Sequence, residues 1–244
     1  MRIYFAGVDR HSFLPILWKA GARRVLINYY DFRNTFHNLL EHLKQYDFDI
    51  LLDSGAYPAY TRGVKIDVKE YANFLKKYGE YFEGYFNLDD IESFDKTWDN
   101  QDYLESERLK PIPVYHYGEP IETLKIISRQ YEFIGIGGMV PISKQKLDNW
   151  LQFVFFNKDG QEKLPGIKFH GLGLTTYDLM KKYPFYSVDS SKWLNAKRFG
   201  KHINKNGQQI RVKDARIEQP VKWHLGAEKE LEKRKFQGDL RLFE

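Results

Sequence analysis

Four acidic residues stand where strand-like runs end. Asp53 closes Ile50-Leu51-Leu52-Asp53 ahead of Ser54-Gly55. Asp89 and Asp90 close Tyr85-Phe86-Asn87-Leu88-Asp89-Asp90, and Asp189 closes Phe185-Tyr186-Ser187-Val188-Asp189 ahead of Ser190. An apolar strand has no folding need for a terminal carboxylate followed by a tight turn. In a (β/α)8 barrel, however, all C-terminal strand ends open onto one face, the face where chemistry occurs. The pattern therefore predicts an α/β fold, a (β/α)8 TIM barrel, with distant residues meeting in one pocket.

The rest of the chain supports that reading. Strand-like runs recur at Ile3–Gly7, Arg24–Tyr29, Ile50–Asp53, Gly84–Asp89, Ile112–Tyr117, Phe133–Gly138, Ile167–Leu172 and Phe185–Asp189. Between them lie helical spacings, such as Phe36, Leu39, Leu40 and Leu43, or Tyr71, Phe74, Leu75 and Tyr78. Ser12 is the expected cap of the first helix. An open doubly wound sheet would use fewer strands and a glycine-rich phosphate turn after the first. Gly7-Val8-Asp9-Arg10 lacks that fingerprint. The expected domains are a catalytic barrel over residues 1–194 and a basic C-terminal extension over 195–244, packed on the barrel. Within the extension, Asn206-Gly207 predicts a hairpin turn, and 227–236 a charged closing helix.

With 244 residues the chain is long enough for one large core. It has no cysteine, which removes disulfides, thiolate nucleophiles and cysteine-based zinc sites. The first residues do not read as a signal peptide, and no apolar run approaches the roughly 20 residues of a membrane span. The expectation is a soluble cytoplasmic protein with no membrane partner; a homodimer is compatible with it.

Charge is uneven. Residues 191–244 carry 14 Lys/Arg against 7 Asp/Glu, while the whole chain is +5, leaving residues 1–190 at −2. A basic excess confined to the tail fits a polyanion contact, and equally a solvated surface helix. Lys192, Lys197, Arg198 and Lys201 follow Asp189 closely and are the expected nucleic-acid-binding cations, holding backbone phosphates.

Two carboxylates flanking a glycosidic bond can divide the work: one attacks the anomeric carbon, the other moves protons to and from the leaving group. Any single aspartate here reads more readily as a strand-end cap or loop ion pair; three at one barrel end favour chemistry. Gly137 and Gly138, in Ile134-Gly135-Ile136-Gly137-Gly138, would let a flat ligand approach the backbone, or simply make a tight turn. His116 and His170, at the ends of the fifth and seventh runs, could each meet a ligand oxygen or phosphate. The chain has no His-x-His after its first strand, so the ligand spacing of barrel metallo-hydrolases is missing. No metal and no cofactor are expected.

At these motifs the sequence resembles the tRNA-guanine transglycosylases, the queuine tRNA-ribosyltransferase family. Leu52-Asp53-Ser54-Gly55-Ala56 is similar to the family's Asp-Ser-Gly motif, and Leu88-Asp89-Asp90 to its Leu-Asp-Glu segment. Gly137-Gly138 is similar to its base-binding loop, and Ser187-Val188-Asp189 to the strand presenting its nucleophile. The motifs occur in family order across residues 50–190. The likeness is greatest to short, often phage-encoded relatives with Pro-Val-Tyr-His-Tyr-Gly-Glu and Tyr-Pro-Phe-Tyr-Ser-Val-Asp-Ser segments.

The resemblance implies exchange of a guanine in nucleic acid for a 7-deazaguanine, such as preQ0 or preQ1, through a covalent sugar–aspartate intermediate. Asp189 would be the nucleophile and Asp53 the acid/base or base-positioning group. Asp89, with Asp90 beside it, would read the guanine N1–H and N2–H edge, and Gly137 and Gly138 would contact the base carbonyl. His116 falls where the family often has a base-contacting glutamine. The family's zinc site needs three cysteines, so that subdomain is absent or replaced. With the chain this short, DNA stands beside tRNA as the expected substrate. A hydrolytic N-glycosidase and a non-catalytic nucleic-acid-binding barrel are the alternatives.

Overall fold

The structure, a computed structural model, describes residues 1–8 and 10–240, the side chains of 234–240 excepted. Asp9 of the first turn and residues 241–244 of the basic extension lie outside the described residues.

Eight parallel strands follow the expected runs: β1 (Arg2–Ala6), β2 (Arg24–Asn28), β3 (Asp49–Asp53), β4 (Gly84–Tyr85), β5 (Val114–His116), β6 (Phe133–Gly137), β7 (Lys168–Gly171) and β8 (Ser187–Ser190). Their order in the sheet is β4-β3-β2-β1-β8-β7-β6-β5. The two ends of this order also meet. Ile112 N–H donates to the Tyr85 carbonyl at 2.7 Å, and Asn87 N–H to the Ile112 carbonyl at 2.9 Å. The sheet therefore closes, and the fold is a (β/α)8 barrel. The fourth and fifth strands are shorter than expected. Pro113 has no N–H to give the ladder, and the Asn87 side chain turns to donate to the Thr97 carbonyl.

Period-2 alternation sets which residues face inward. Tyr4, Leu26, Leu51, Phe86 and Val114 fill the barrel interior. Their neighbours Phe5, Val25, Ile27, Ile50 and Leu52 face outward into one helix-covered core. Ile3, Tyr115, Ile134, Ile136, Phe169 and Val188 face a second. Counting two residues on from the interior positions puts Asp53 above Leu51, His116 above Val114 and Asp189 above Ser187, all pointing inward at the same barrel end.

The outer helices are α1 (Leu14–Ala20), α2 (Tyr29–Phe32), α3 (Phe36–Leu43), α4 (Ala56–Thr61), α5 (Val68–Tyr78), α6 (Phe94–Ser106), α7 (Ile121–Ile127), α8 (Lys144–Phe155), α9 (Tyr177–Lys182), α10 (Asn195–Phe199) and α11 (Glu218–Leu240). Ser12 is not the first cap: it lies within a 3-10 turn, His11–Phe13, and Phe13 precedes α1. The tail hairpin forms as β9 (Lys201–Ile203) and β10 (Gln209–Arg211). Its loop spans Asn204–Gln208, with Asn204 Oδ1 accepting from Asn206 and Gln208 N–H groups, rather than a two-residue turn.

The tail is less separate than its charge suggests. Helix α11 buries Val221, His224, Ala227, Glu228 and Leu231. Glu228 Oε1 accepts from Ile3 N–H at 2.8 Å and from Arg24 at 2.7 Å, tying the helix to β1 and β2. His224 Nε2 lies 3.0 Å from Ser190 Oγ at the end of β8, and the Trp193 indole donates to the Ala6 carbonyl. Helix α11 therefore covers the β8–β1 side, the place of the barrel's eighth helix.

Candidate active site

The C-terminal strand ends surround a cavity of 720 Å³. Asn28, Asp53, Asp89, His116, Gly137, Gly138 and Asp189 all line it, although they come from six different strands and strand ends. The three aspartates expected to act together, Asp53, Asp89 and Asp189, are thus brought together.

Asp53 ends β3, register partner of Asn28 on β2. Its Oδ2 accepts the Gly55 N–H at 3.2 Å. That turn requires glycine: Gly55 has φ +75°, and a Cβ there would stand 2.6 Å from the Tyr30 Cβ. Burial pushes the Asp53 carboxyl up to about 8, and the negative charges of Asp89 and Asp189 add to the effect; the amides of Gly55 and Ser54 oppose it.

Asp89 is held from both sides. Ser54 Oγ donates to its Oδ1 at 3.0 Å, and His116 Nε2 lies 3.3 Å from its Oδ2. His116 is itself supported from behind: its backbone N–H donates to Glu119 Oε2 at 3.1 Å, and the Trp98 indole holds Glu119 Oε1 at 2.7 Å. Burial disfavours the charged His116 ring, but the hydrogen bonds and charges of Asp89 and Glu119 outweigh it and push the ring up to about 9. Phe94 stacks on His116, ring centroids 6.0 Å apart.

Asp90 turns partly away. Its Oδ2 pairs with Lys96 Nζ at 2.7 Å and its Oδ1 accepts from Glu92 N–H. Partial burial opposes charge here, yet Lys96 and these hydrogen bonds hold the carboxyl below its ordinary value. Both Asp89 and Asp90 line the cavity; Asp89 is held by Ser54 and His116, whereas Asp90 is drawn to Lys96.

Asp189 is 6% exposed. The Gly173 N–H donates to its Oδ1 at 2.6 Å, and His170 Nε2 lies 3.4 Å from the same oxygen. No described residue hydrogen-bonds Oδ2. One oxygen is anchored and the other is left for a ligand.

His170 does not line the cavity, which corrects the expected base contact. It pairs in register with Gly135 and Ser187, one layer below His116 and Asp189. Fully buried, it sits among Tyr4, Phe86 and Phe133, with Nδ1 2.8 Å from Ser187 Oγ. It supports Asp189 from beneath.

Gly137 and Gly138 form the opposite wall. A Cβ on Gly137 would stand 2.8 Å from Val114 Cγ1, so this inward position admits no side chain and leaves the wall flat. The mouth is rimmed by Tyr57, Tyr60 and Phe94, 47%, 49% and 38% exposed. These aromatics, and Asn28, Glu119 and Gly173, were not singled out in the sequence. Asn28 carried the available signal, a polar residue ending an apolar strand.

None of the four expected cations lines the cavity. The Lys192 ammonium, half-buried, donates to the Thr175 carbonyl, and burial lowers its pKa, so it is a structural tie rather than a free phosphate contact. Lys197 and Arg198 are exposed on α10, with Lys197 Nζ 4.9 Å above the Phe13 ring; Lys201 starts β9 with its ammonium 5.8 Å from the Phe199 ring centroid.

No protein-family model matches this chain, and no curated protein matches it. Solved structures do resemble it. A mutant tryptophan synthase alpha-subunit from the hyperthermophile Pyrococcus furiosus superposes with TM-score 0.53 at 14% identity, covering 93% of this chain and 97% of that one. A structure from Aquifex aeolicus VF5 gives TM-score 0.51 at 12% identity, covering 80% and 85%. At such identities the likeness establishes the barrel and carries nothing about the reaction. Among the described residues no helix is long and apolar enough to cross a membrane, and no group of three or more His, Cys, Asp or Glu could hold a metal ion.

Proposed function

We propose that this protein is a transglycosylase that exchanges a guanine in nucleic acid for a free 7-deazaguanine through a sugar–aspartate intermediate. The observation that carries the reading is the division of labour among three convergent carboxyl groups. Asp189 has one anchored and one free oxygen, burial raises the Asp53 carboxyl to about 8, and Asp89 is fixed by Ser54 and the His116 ring.

The steps follow from those environments. Asp189 Oδ2 bonds to C1′ of the target nucleotide as the C1′–N9 bond breaks. The departing purine takes the electron pair and receives the Asp53 proton. The incoming base then attacks C1′ through its own ring nitrogen, giving its N–H proton to Asp53, and the C1′–Oδ2 ester bond breaks. The second half restores both carboxyl groups, so the cycle consumes no net proton. A carboxyl group near pKa 8 suits a role in which it must act as acid and then as base. Asp89 offers an anionic acceptor to the N1–H and N2–H donors of guanine, a match that adenine lacks. The flat wall at Gly137–Gly138 leaves room for a planar base.

Incubation of the protein with isotope-labelled guanine and guanine-containing DNA or RNA oligonucleotides tests the reading. Base exchange predicts label in the oligonucleotide, and displacement of it by added 7-deazaguanine. Release of guanine to leave an abasic site, with no label entering, would identify a hydrolytic N-glycosidase instead. No change in either polymer would contradict the proposal.

A further inference from the structure

A second groove, of 630 Å³, opens beside the cavity at the same barrel end. The segment after β1 forms one wall with Arg10, His11 and Ser12; Thr35, Asn38 and His42 form the other. The two depressions share their partition. Gly7 and Val8 face the cavity while Arg10 faces the groove, and Asp31 faces the cavity while Phe32, one residue on, faces the groove.

The groove has the chemistry of an anion site. The His11 and His42 rings come from different elements yet stack 4.1 Å apart and 6° from parallel. No described residue hydrogen-bonds any of their four ring nitrogens, and none pairs with the Arg10 guanidinium. Ser12, Thr35 and Asn38 add hydroxyl and amide donors. The lining carboxylate, Glu41, is engaged by Lys44 at 3.0 Å. Lys197 brings a further ammonium over the ring of Phe13, the residue after Ser12. The apolar lining residues, Phe32 and Leu39, are buried, 8% and 3% exposed. Exposed aromatic rings stand at the cavity mouth, at Tyr57, Tyr60 and Phe94.

We propose that this groove binds the sugar–phosphate backbone of the strand flanking the target nucleotide. The inference deepens the transglycosylase reading and rests on it for the identity of the strand. Phosphodiester oxygens accept hydrogen bonds and carry charge, so the unengaged Arg10 guanidinium and the polar donors on the two facing walls fit them. The flanking bases are left to the aromatic rim, where stacking is tolerant of sequence. Backbone held this close to the cavity offsets part of the cost of drawing the target base out of its stack.

The test uses the full chain and a fluorescent single-stranded oligonucleotide whose residues are all abasic, a probe with phosphates and no bases. Wild-type protein should bind it with affinity that falls steeply with salt. Arg10→Ala combined with His42→Ala should weaken probe binding, and loss of the Arg10 charge should lower the log–log salt slope by about 0.7. The same variant should bind free guanine as wild type does. Should the double variant unfold more readily, Arg10→Glu alone must weaken probe binding in the same direction. An unchanged slope and affinity in these variants would overturn the proposal. So would a wild-type protein that ignores the abasic probe while still exchanging guanine in an oligonucleotide, and then the transglycosylase reading survives. A lowered slope on the abasic probe with no exchange on any nucleic acid would instead keep the groove and sink that reading.

Discussion

Asp189 Oδ1 receives both the Gly173 N–H, at 2.6 Å, and the approach of His170 Nε2, at 3.4 Å, while Oδ2 takes no hydrogen bond from any described residue. This asymmetry is what a nucleophilic carboxylate needs. The anchored oxygen fixes the group's plane and the free one points its lone pairs at the cavity. His170 is a positioning residue in this arrangement, since it touches Asp189 and not the cavity.

His170→Phe tests that role. The larger ring keeps the packing against Tyr4, Phe86 and Phe133 but removes both hydrogen bonds. It leaves the buried Ser187 hydroxyl unpaired, which costs about 1–3 kcal/mol of stability. The expected kinetic result is a kcat lower by about 10–100-fold, the value of one hydrogen bond to a charged group, with KM for the free base nearly unchanged. Steady-state kinetics well below the melting temperature separate the two effects. An unchanged kcat alongside a lowered melting temperature would make His170 purely structural.

Asp53 predicts a pH dependence in both activity and stability. Its carboxyl, raised to about 8 by burial and then by Asp89 and Asp189, must be protonated to serve the departing base. The rate of guanine release should therefore fall as pH rises through about 8. The stability sign follows from proton binding. An ordinary aspartate titrates near 3.9, so between about 4 and 8 the folded protein binds the extra proton and the unfolded chain does not. Stability conferred by that proton is lost as pH rises across the window. Asp53→Asn should abolish exchange yet raise the melting temperature at pH 8–9, with the gain vanishing near pH 4. Melting curves across this range would reject the account if the variant is no more stable than wild type at high pH.

Helix α11 should be indispensable to the barrel. Glu228→Ala frees the Ile3 N–H and Arg24 together, at a cost of about 1.5–3 kcal/mol for hydrogen bonds to a charged group. Chemical denaturation should report this as a lower midpoint with an unchanged slope. A variant as stable as wild type would mean that the tail is an appendage.

The eight strands were legible because apolar runs and their carboxylate ends alternate with helical spacings along most of the chain. Depth inside the barrel was not. His116 and His170 look alike in sequence, each following an apolar strand segment. Register separates them: His116 pairs with Gly137 in the top layer, His170 with Ser187 one layer down. Sheet register is a tertiary property, and a two-residue offset moves a side chain from the cavity to the core. The tail concealed its role for a related reason. Val221, His224, Ala227, Glu228 and Leu231 have the spacing of a buried helical face. Two of those five are polar, and their burial is satisfied only by Ser190, Ile3 and Arg24 on distant strands, beside the Pro220 carbonyl. Charge counting likewise found a basic tail but not that Lys192 is tied to Thr175, nor that Arg10 lies free of described partners in a groove.

Intact-mass measurement after denaturation is the most direct test of the central claim. Wild-type protein is incubated with a guanine-containing oligonucleotide without added base, quenched in acid, digested and mapped. The account predicts a nucleotide adduct on the peptide carrying Asp189, absent in Asp189→Asn, which should also lose exchange by several orders of magnitude. An adduct on Asp53 or Asp89, or exchange that persists in Asp189→Asn, would contradict it.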